Sequence, residues 1–182
     1  MLLRTTIGDK SIQWLKGQLG LEGWETGLRR QPRGQIYFQG NTVSSTFTET
    51  YIPVLDPTSS PAPTPYSLDT SSAIQFALAD SRKLQYTGSA SRWFNVIGTL
   101  DVENTTGASL DFTVKIAKND VVIDATQCNA TIPHNGVGKL HTMWILPLEK
   151  DDYVELYVAT ATGVGSKSLT PKRSRLQATC LS

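Results

Sequence analysis

The sequence predicts an all-β chain folded as an antiparallel jelly-roll sandwich, preceded by an N-terminal arm that is extended or short-helical. Three observations predict it. From residue 72 onward, short runs of alternating apolar and polar residues follow one another at strand length, with turn-forming clusters and no helical window between them. Only 18% of residues are charged against 39% hydrophobic, so the surface relies on Ser, Thr, Asn and Gln, a composition that favours strands. Finally, 182 residues suffice for one core plus an extension and are short for two full domains.

The organisation reads as an arm over residues 1–40, a first strand with a proline-rich loop over 41–71, and the jelly-roll domain over 72–182. In the arm, DKSIQWLKGQLGLEGW places Ile12, Leu15 and Leu19 at helical spacing behind Asp9 or Ser11 as cap. Gly17, Gly20 and Gly23 keep that helix short. Trp14 and Trp24 cannot be buried within so short a segment, so the rest of the chain or another subunit must cover them. Arg29, Arg30 and Arg33 follow as a basic cluster, either a solvated turn or a contact to a partner's acidic surface.

The stretch GQIYFQGN, residues 34–41, contains YFQG, the second half of a protease site used to remove purification tags. Gly34 stands where that site needs Glu, so the stretch reads as native chain and as the entry into the sandwich. An alternating pattern in TFTETYIPVL comes next. Pro57, Pro61, Pro63 and Pro65 then exclude sheet interior and helix, leaving an extended loop.

Eight strands are expected from residue 73 on: AIQFALA, KLQYTG, RWFNVIGTLDVE, SLDFTVKIAK, VVIDATQ, LHTMWILPL, DYVELYVAT and SRLQATCL. NTTGA, the tight turn KND, NATIPHNGVG, EKDD and TGVGSKSLTPK connect them. In DYVELYVAT, Tyr153, Glu155, Tyr157 and Ala159 share one face and Val154, Leu156 and Val158 the other. A tyrosine-bearing face backed by pure aliphatics indicates that both sides are covered, the second by another subunit.

Chemistry-bearing motifs are scarce. The two histidines, His134 in the turn PHNG and His141 in a strand, lack a nucleophile or metal-ligand pattern around them. GVGSKS lacks the glycine before its lysine and the following helix that a phosphate loop needs. EKDDY supplies three acids from one loop, too few segments for a calcium site, and reads as a charged turn. Asn104 and Asn129 head glycosylation patterns, whose content here is that both regions are polar turns. Cys128 and Cys180 have no partner at metal spacing and are expected as small apolar thiols rather than as a disulfide. No catalytic residue, metal site or cofactor is therefore expected.

Seventeen basic against sixteen acidic side chains give +1, which points to neither nucleic acid nor an anionic membrane as partner. Nothing approaches the roughly eighteen consecutive apolar residues of a membrane span, and MLLRTTIGDK lacks the apolar core of a secretion signal. A soluble protein made in the cytoplasm is expected.

Several segments carry a resemblance. YFQGN, TETYIPV, KLQYTG, SRWFNVIGTLDV, FTVKIAKNDVVI and LEKDDYVELYVAT, in that order from about residue 36 to the end, resemble a module of bacteriophage virion proteins. That module is similar to the jelly roll of tumour necrosis factor and of complement globular heads, which assembles as a threefold trimer. Asn119-Asp120 stands where the module has Asn-Gly, and Asp151-Asp152 where it has Gly-Asp. The resemblance implies a homotrimer, with Trp144, Tyr153 and Tyr157 as candidate interface anchors. It implies a virion location and a non-enzymatic decoration, or cement, protein that clamps neighbouring major capsid subunits. Trp14, Leu15, Leu19, Trp24, Arg29, Arg30 and Arg33 are the candidate attachment residues, against the major capsid protein or another virion protein. The alternative implied role is a head- or tail-fibre module recognising a host surface glycan through the loops NTTGA, NATIPHNGVG and TGVGSKS, none of which carries Trp or Tyr.

Overall fold

The computed structural model describes residues 31–39, 45–54, 66–161 and 167–181. The chain divides into two units, Met1–Gln31 and Pro32–Ser182, and the second carries every strand named below. The proline-rich loop 56–65 and the arm residues up to Arg30 lie outside the described residues.

The strands are β1 (Arg33–Gln39), β2 (Ser45–Phe47), β3 (Ile52–Pro53), β4 (Ser67–Leu68), β5 (Phe76–Ala79), β6 (Lys83–Tyr86), β7 (Arg92–Asn104), β8 (Leu110–Lys118), β9 (Val121–Val122), β10 (Cys128–Ile132), β11 (Val137–Leu148), β12 (Tyr153–Thr160) and β13 (Lys167–Cys180). One sheet runs β11-β7-β13-β1-β4, with β2 also on β13. The other runs β10-β8-β12-β6-β5, with β3 also on β12 and β9 on β8. Every pairing is antiparallel. From β6 onward the chain crosses repeatedly between the sheets, and that path makes the sandwich a jelly roll, as the sequence predicts.

Tyr37, Phe38 and Gln39 of the tag-like YFQG lie inside β1, which pairs along its whole length with β13. Ile36 and Phe38 are buried and alternate with exposed Arg33, Tyr37 and Gln39. Among the described residues, sheet structure thus begins at Arg33, inside the segment expected as arm, because these alternating side chains have a strand to pair with.

β7 forms the spine of its sheet, held between β11 and β13. Phe94, Val96, Leu100, Val102 and Asn104 point inward, as period-two reading requires. Gly98 belongs to the same row, where an added Cβ would lie 2.3 Å from Leu156 Cδ2 of the facing sheet. Glycine is needed there for contact between the sheets, not for backbone freedom. Phe76, Tyr86 and Phe94 form an aromatic cluster with centroids 5.0 to 5.3 Å apart, and the Tyr86 hydroxyl donates to Ala90 O at 2.9 Å.

The sequence misplaces several boundaries. VVIDATQ is strand only at Val121–Val122 and then turns through a 3-10 segment, Asp124–Thr126. There the Thr126 hydroxyl accepts from Ile116 N at 2.8 Å and donates to Ile123 O at 2.7 Å, replacing ladder bonds. NATIPHNGVG, expected as a loop, contributes Asn129–Ile132 to β10, paired residue by residue with β8, and Val137–Gly138 to β11. LTPK belongs to β13, which accommodates Pro171 at a register shift between Pro171 and Arg173. The tight turn at Asn119-Asp120 forms as expected, with φ of 51° and 62°.

Candidate functional site

The outward face of the β11-β7-β13 sheet is apolar at one end. Cross-strand register sets Trp93 opposite Pro147, Asn95 opposite Ile145 and Ile97 opposite Met143. Trp93 is 53% exposed, Met143 54% and Ile145 52%. Leu181 is exposed as well and is tied to the same end by its N–H, which donates to Trp93 O at 2.9 Å. In the middle of this group the buried Asn95 Oδ1 has no hydrogen-bond partner. A contiguous exposed apolar group of this kind marks an interaction surface rather than ordinary surface scatter.

Further along the same face the chemistry changes. Asp101 lies opposite Lys139 on one side and Arg173 on the other, and Thr99 lies between His141 and Arg175. Lys172 pairs with Glu103 at 2.5 Å. The face is therefore a greasy half joined to a charge-balanced half, and no catalytic geometry is assembled on it.

Of the candidate interface anchors, Trp144 and the two tyrosines lie on different sheets. Trp144 is on β11, opposite Val96, so it shares the inward parity of Leu140 and Leu146. It remains 39% exposed because β11 ends its sheet and, among the described residues, has a pairing partner on one side only. Tyr153 and Tyr157 are on β12, in the other sheet, and both donate their hydroxyls to one carboxylate, Asp120: Tyr153 to Oδ2 and Tyr157 to Oδ1 at 3.1 Å. The three do not form a common surface.

The Asp120 group is densely ionic. Lys83 lies 3.1 Å from Asp80 and 4.0 Å from Asp120, with its ammonium 4.2 Å from the Tyr153 ring centroid. Arg82 Nε stands 3.0 Å from Glu155 Oε2, and Glu155 is almost fully buried. The Tyr153 hydroxyl holds the Asp120 carboxyl below its usual range. Burial pushes Glu155 up to about 7, against the attraction of Arg82. These groups tie the β5–β6 and β8–β9 turns to β12.

The other residues singled out from the sequence have structural duties or lie elsewhere. Arg33 opens β1, is exposed, and donates from Nε to Ser72 O at 3.0 Å; Trp14, Leu15, Leu19, Trp24, Arg29 and Arg30 lie outside the described residues. His134 Nδ1 meets Thr106 O at a turn, and His141 is exposed on β11. In EKDDY, Asp152 accepts from Glu149 N at 2.8 Å and pairs with Lys118 at 2.7 Å, so this acid shapes the turn. No disulfide joins Cys128 to Cys180. Asn104 is not a polar surface turn: it is fully buried at the end of β7, with Nδ2 donating to Ala108 O and Ile132 O.

No protein-family model matches the chain, and no curated protein matches it in sequence. Among solved structures it is similar to Eiger TNF from S. frugiperda, with 14% identity and a TM-score of 0.49 over 84% of this chain and 94% of that one. It is similar also to murine APRIL, with 6% identity and a TM-score of 0.48 over 82% and 99%. The globular domain of zebrafish complement 1qA gives 12% identity and a TM-score of 0.49 over 83% and 96%. At these identities the likeness is one of fold.

Proposed function

We propose that this chain is a non-enzymatic structural protein of a bacteriophage virion, a decoration protein that self-associates as a trimer and attaches to the capsid through its N-terminal arm. The observation that carries the self-association is the exposed group Trp93, Met143 and Ile145 on one sheet face. Three large side chains about half exposed on adjacent strands cost little to leave in water singly, but burying them against a second copy yields roughly 25 cal/mol per Å². The virion setting rests on the ordered series of segments that resembles the phage module. An arm carrying Trp14 and Trp24 supplies apolar surface for a partner, and joining three arms in one particle multiplies weak contacts through avidity.

Light scattering on the full chain tests the self-association. The wild type should run as a trimer and the Met143→Lys/Ile145→Lys double variant as a monomer with an unchanged circular-dichroism spectrum. A wild type that is monomeric at micromolar concentration refutes it. For attachment, residues 1–30 should be deleted, since a longer cut would enter β1. The truncated chain should keep its oligomeric state and lose binding to capsids.

A further inference from the structure

We propose that the groove bounded by β8, β10, the end of β12 and the 49–51 segment is a binding site for a neutral saccharide. The groove encloses about 510 Å³ and lies on the β10-β8-β12 sheet, away from the apolar face. That volume suits a small ligand. Its floor is made of short side chains, with Thr113 of β8 opposite Asn129 of β10 and Ala159 of β12. Three neighbouring strands in one row give a flat bed about 10 Å across, wide enough for a disaccharide lying across the strands.

The chemistry of the lining selects the ligand class. The charged members of its lining, Glu49 and Asp111, are both acids and no basic residue lines it among the described residues, so phosphate, sulfate and carboxylate ligands find no counter-charge there. Lys115, two residues along β8 from Thr113, is committed to Asp124 at 2.8 Å. The rim is Asp111, Gln127, Asn129 and Thr131, all exposed polar side chains, which disfavours a lipid or other apolar ligand. An uncharged polyhydroxyl compound remains, because it presents donors and acceptors together with apolar ring faces.

The polar groups are held ready for such a ligand. Asn129 Oδ1 accepts from the Thr113 hydroxyl at 2.9 Å and from Gln127 Nε2 at 3.0 Å, which fixes the amide and leaves Nδ2 as the donor toward the groove. Asp111 Oδ1 takes the Thr131 hydroxyl, leaving Oδ2 to accept from sugar hydroxyls. Tyr51 forms the aromatic wall, and the Lys115 ammonium 4.2 Å from its centroid packs one side of the ring in place. This inference does not depend on self-association.

A glycan array and saturation-transfer NMR with glucose-, galactose- and N-acetylglucosamine-terminated neutral oligosaccharides test the proposal. The wild type should bind a subset of them saturably. Asn129→Ala should weaken binding about tenfold, the loss of one or two hydrogen bonds, and Tyr51→Ala should abolish it. Tyr51→Phe, which keeps the ring, should retain binding and guards against a fold defect in the alanine variant. The Met143→Lys/Ile145→Lys variant should keep the intrinsic site affinity, which separates this test from that of assembly. The proposal is overturned by no binding to any of the oligosaccharides, by sialylated or sulfated glycans binding as well as neutral ones, or by undiminished binding of a Tyr51→Ala/Asn129→Ala double variant.

Discussion

The Arg82 guanidinium and the Glu155 carboxylate stand 3.0 Å apart, and neither Glu155 oxygen accepts an aligned hydrogen bond. The pair is placed by tertiary structure, since Arg82 comes from the β5–β6 turn and Glu155 from the middle of β12. Proximity without alignment leaves burial as the dominant influence on the acid, which is why its carboxyl is pushed up to about 7.

A pH dependence follows from that shift. Glu155 ionises near 4.5 when unfolded and near 7 when folded, so the folded state holds the extra proton between those values. Its contribution is fully present below the unfolded value and is lost as pH rises through the folded one, by on the order of 3 kcal/mol. Asp120 acts in the opposite sense: its lowered carboxyl contributes stability that fails as pH falls into the acid range. Urea denaturation of the wild type and of Glu155→Gln from about pH 5 to about pH 8 isolates the first effect. The wild type should lose stability across this window while the variant stays nearly flat. Parallel curves would show that Glu155 titrates as an ordinary acid.

Asn104 joins the end of β7 to the 105–108 turn and to β10. Its Oδ1 accepts from Thr106 N at 2.9 Å, while Nδ2 serves Ala108 and Ile132. Asn104→Ala should cost about 2 to 3 kcal/mol, because the buried Ile132 carbonyl and the part-buried Ala108 carbonyl and Thr106 N–H lose their partner at once. Asn104→Asp should cost a similar amount, since it keeps the acceptor and loses the donors. The urea midpoint reads both, and a loss under about 0.5 kcal/mol would reject the clamp.

Gly98 is a point of close approach between the two sheets. Gly98→Ala should destabilise by about 1 to 3 kcal/mol through overpacking against Leu156. A Gly98→Ala/Leu156→Val double variant should recover part of that loss, and thermal melts of the four corners of the cycle check it. Additive losses would mean that the two positions do not press on each other.

Trp93 and Asn95 offer a prediction about the apolar face. If a second copy supplies the donor that Asn95 Oδ1 lacks, Asn95→Val should stabilise the dissociated chain by about 1 kcal/mol and weaken assembly. Sedimentation across a dilution series, followed by the fluorescence of the exposed Trp93, reads both changes. Assembly strengthened by the valine would show that the face associates through apolar contact alone.

By itself the sequence determined the secondary-structure class and the inward row of β7. Period two in RWFNVIGTLDVE gives the buried row Phe94, Val96, Leu100 and Val102 of β7, and Tyr37 to Gln39, expected as the entry into the sandwich, lie in β1. Alternation is a local property, so it survives without knowledge of partners. What alternation does not carry is which strand lies beside which. Only the tertiary structure put Trp144 on one sheet and Tyr153 with Tyr157 on the other, and brought both tyrosine hydroxyls to Asp120, more than thirty residues earlier in the chain. The breaking of VVIDATQ at Asp124 and the recruitment of Asn129 and Tyr51 into one groove arise the same way. Each depends on a hydroxyl, an ammonium or a strand edge delivered by residues distant in sequence. Pairing between distant segments is fixed by the burial of the whole sandwich, and no local spacing records it.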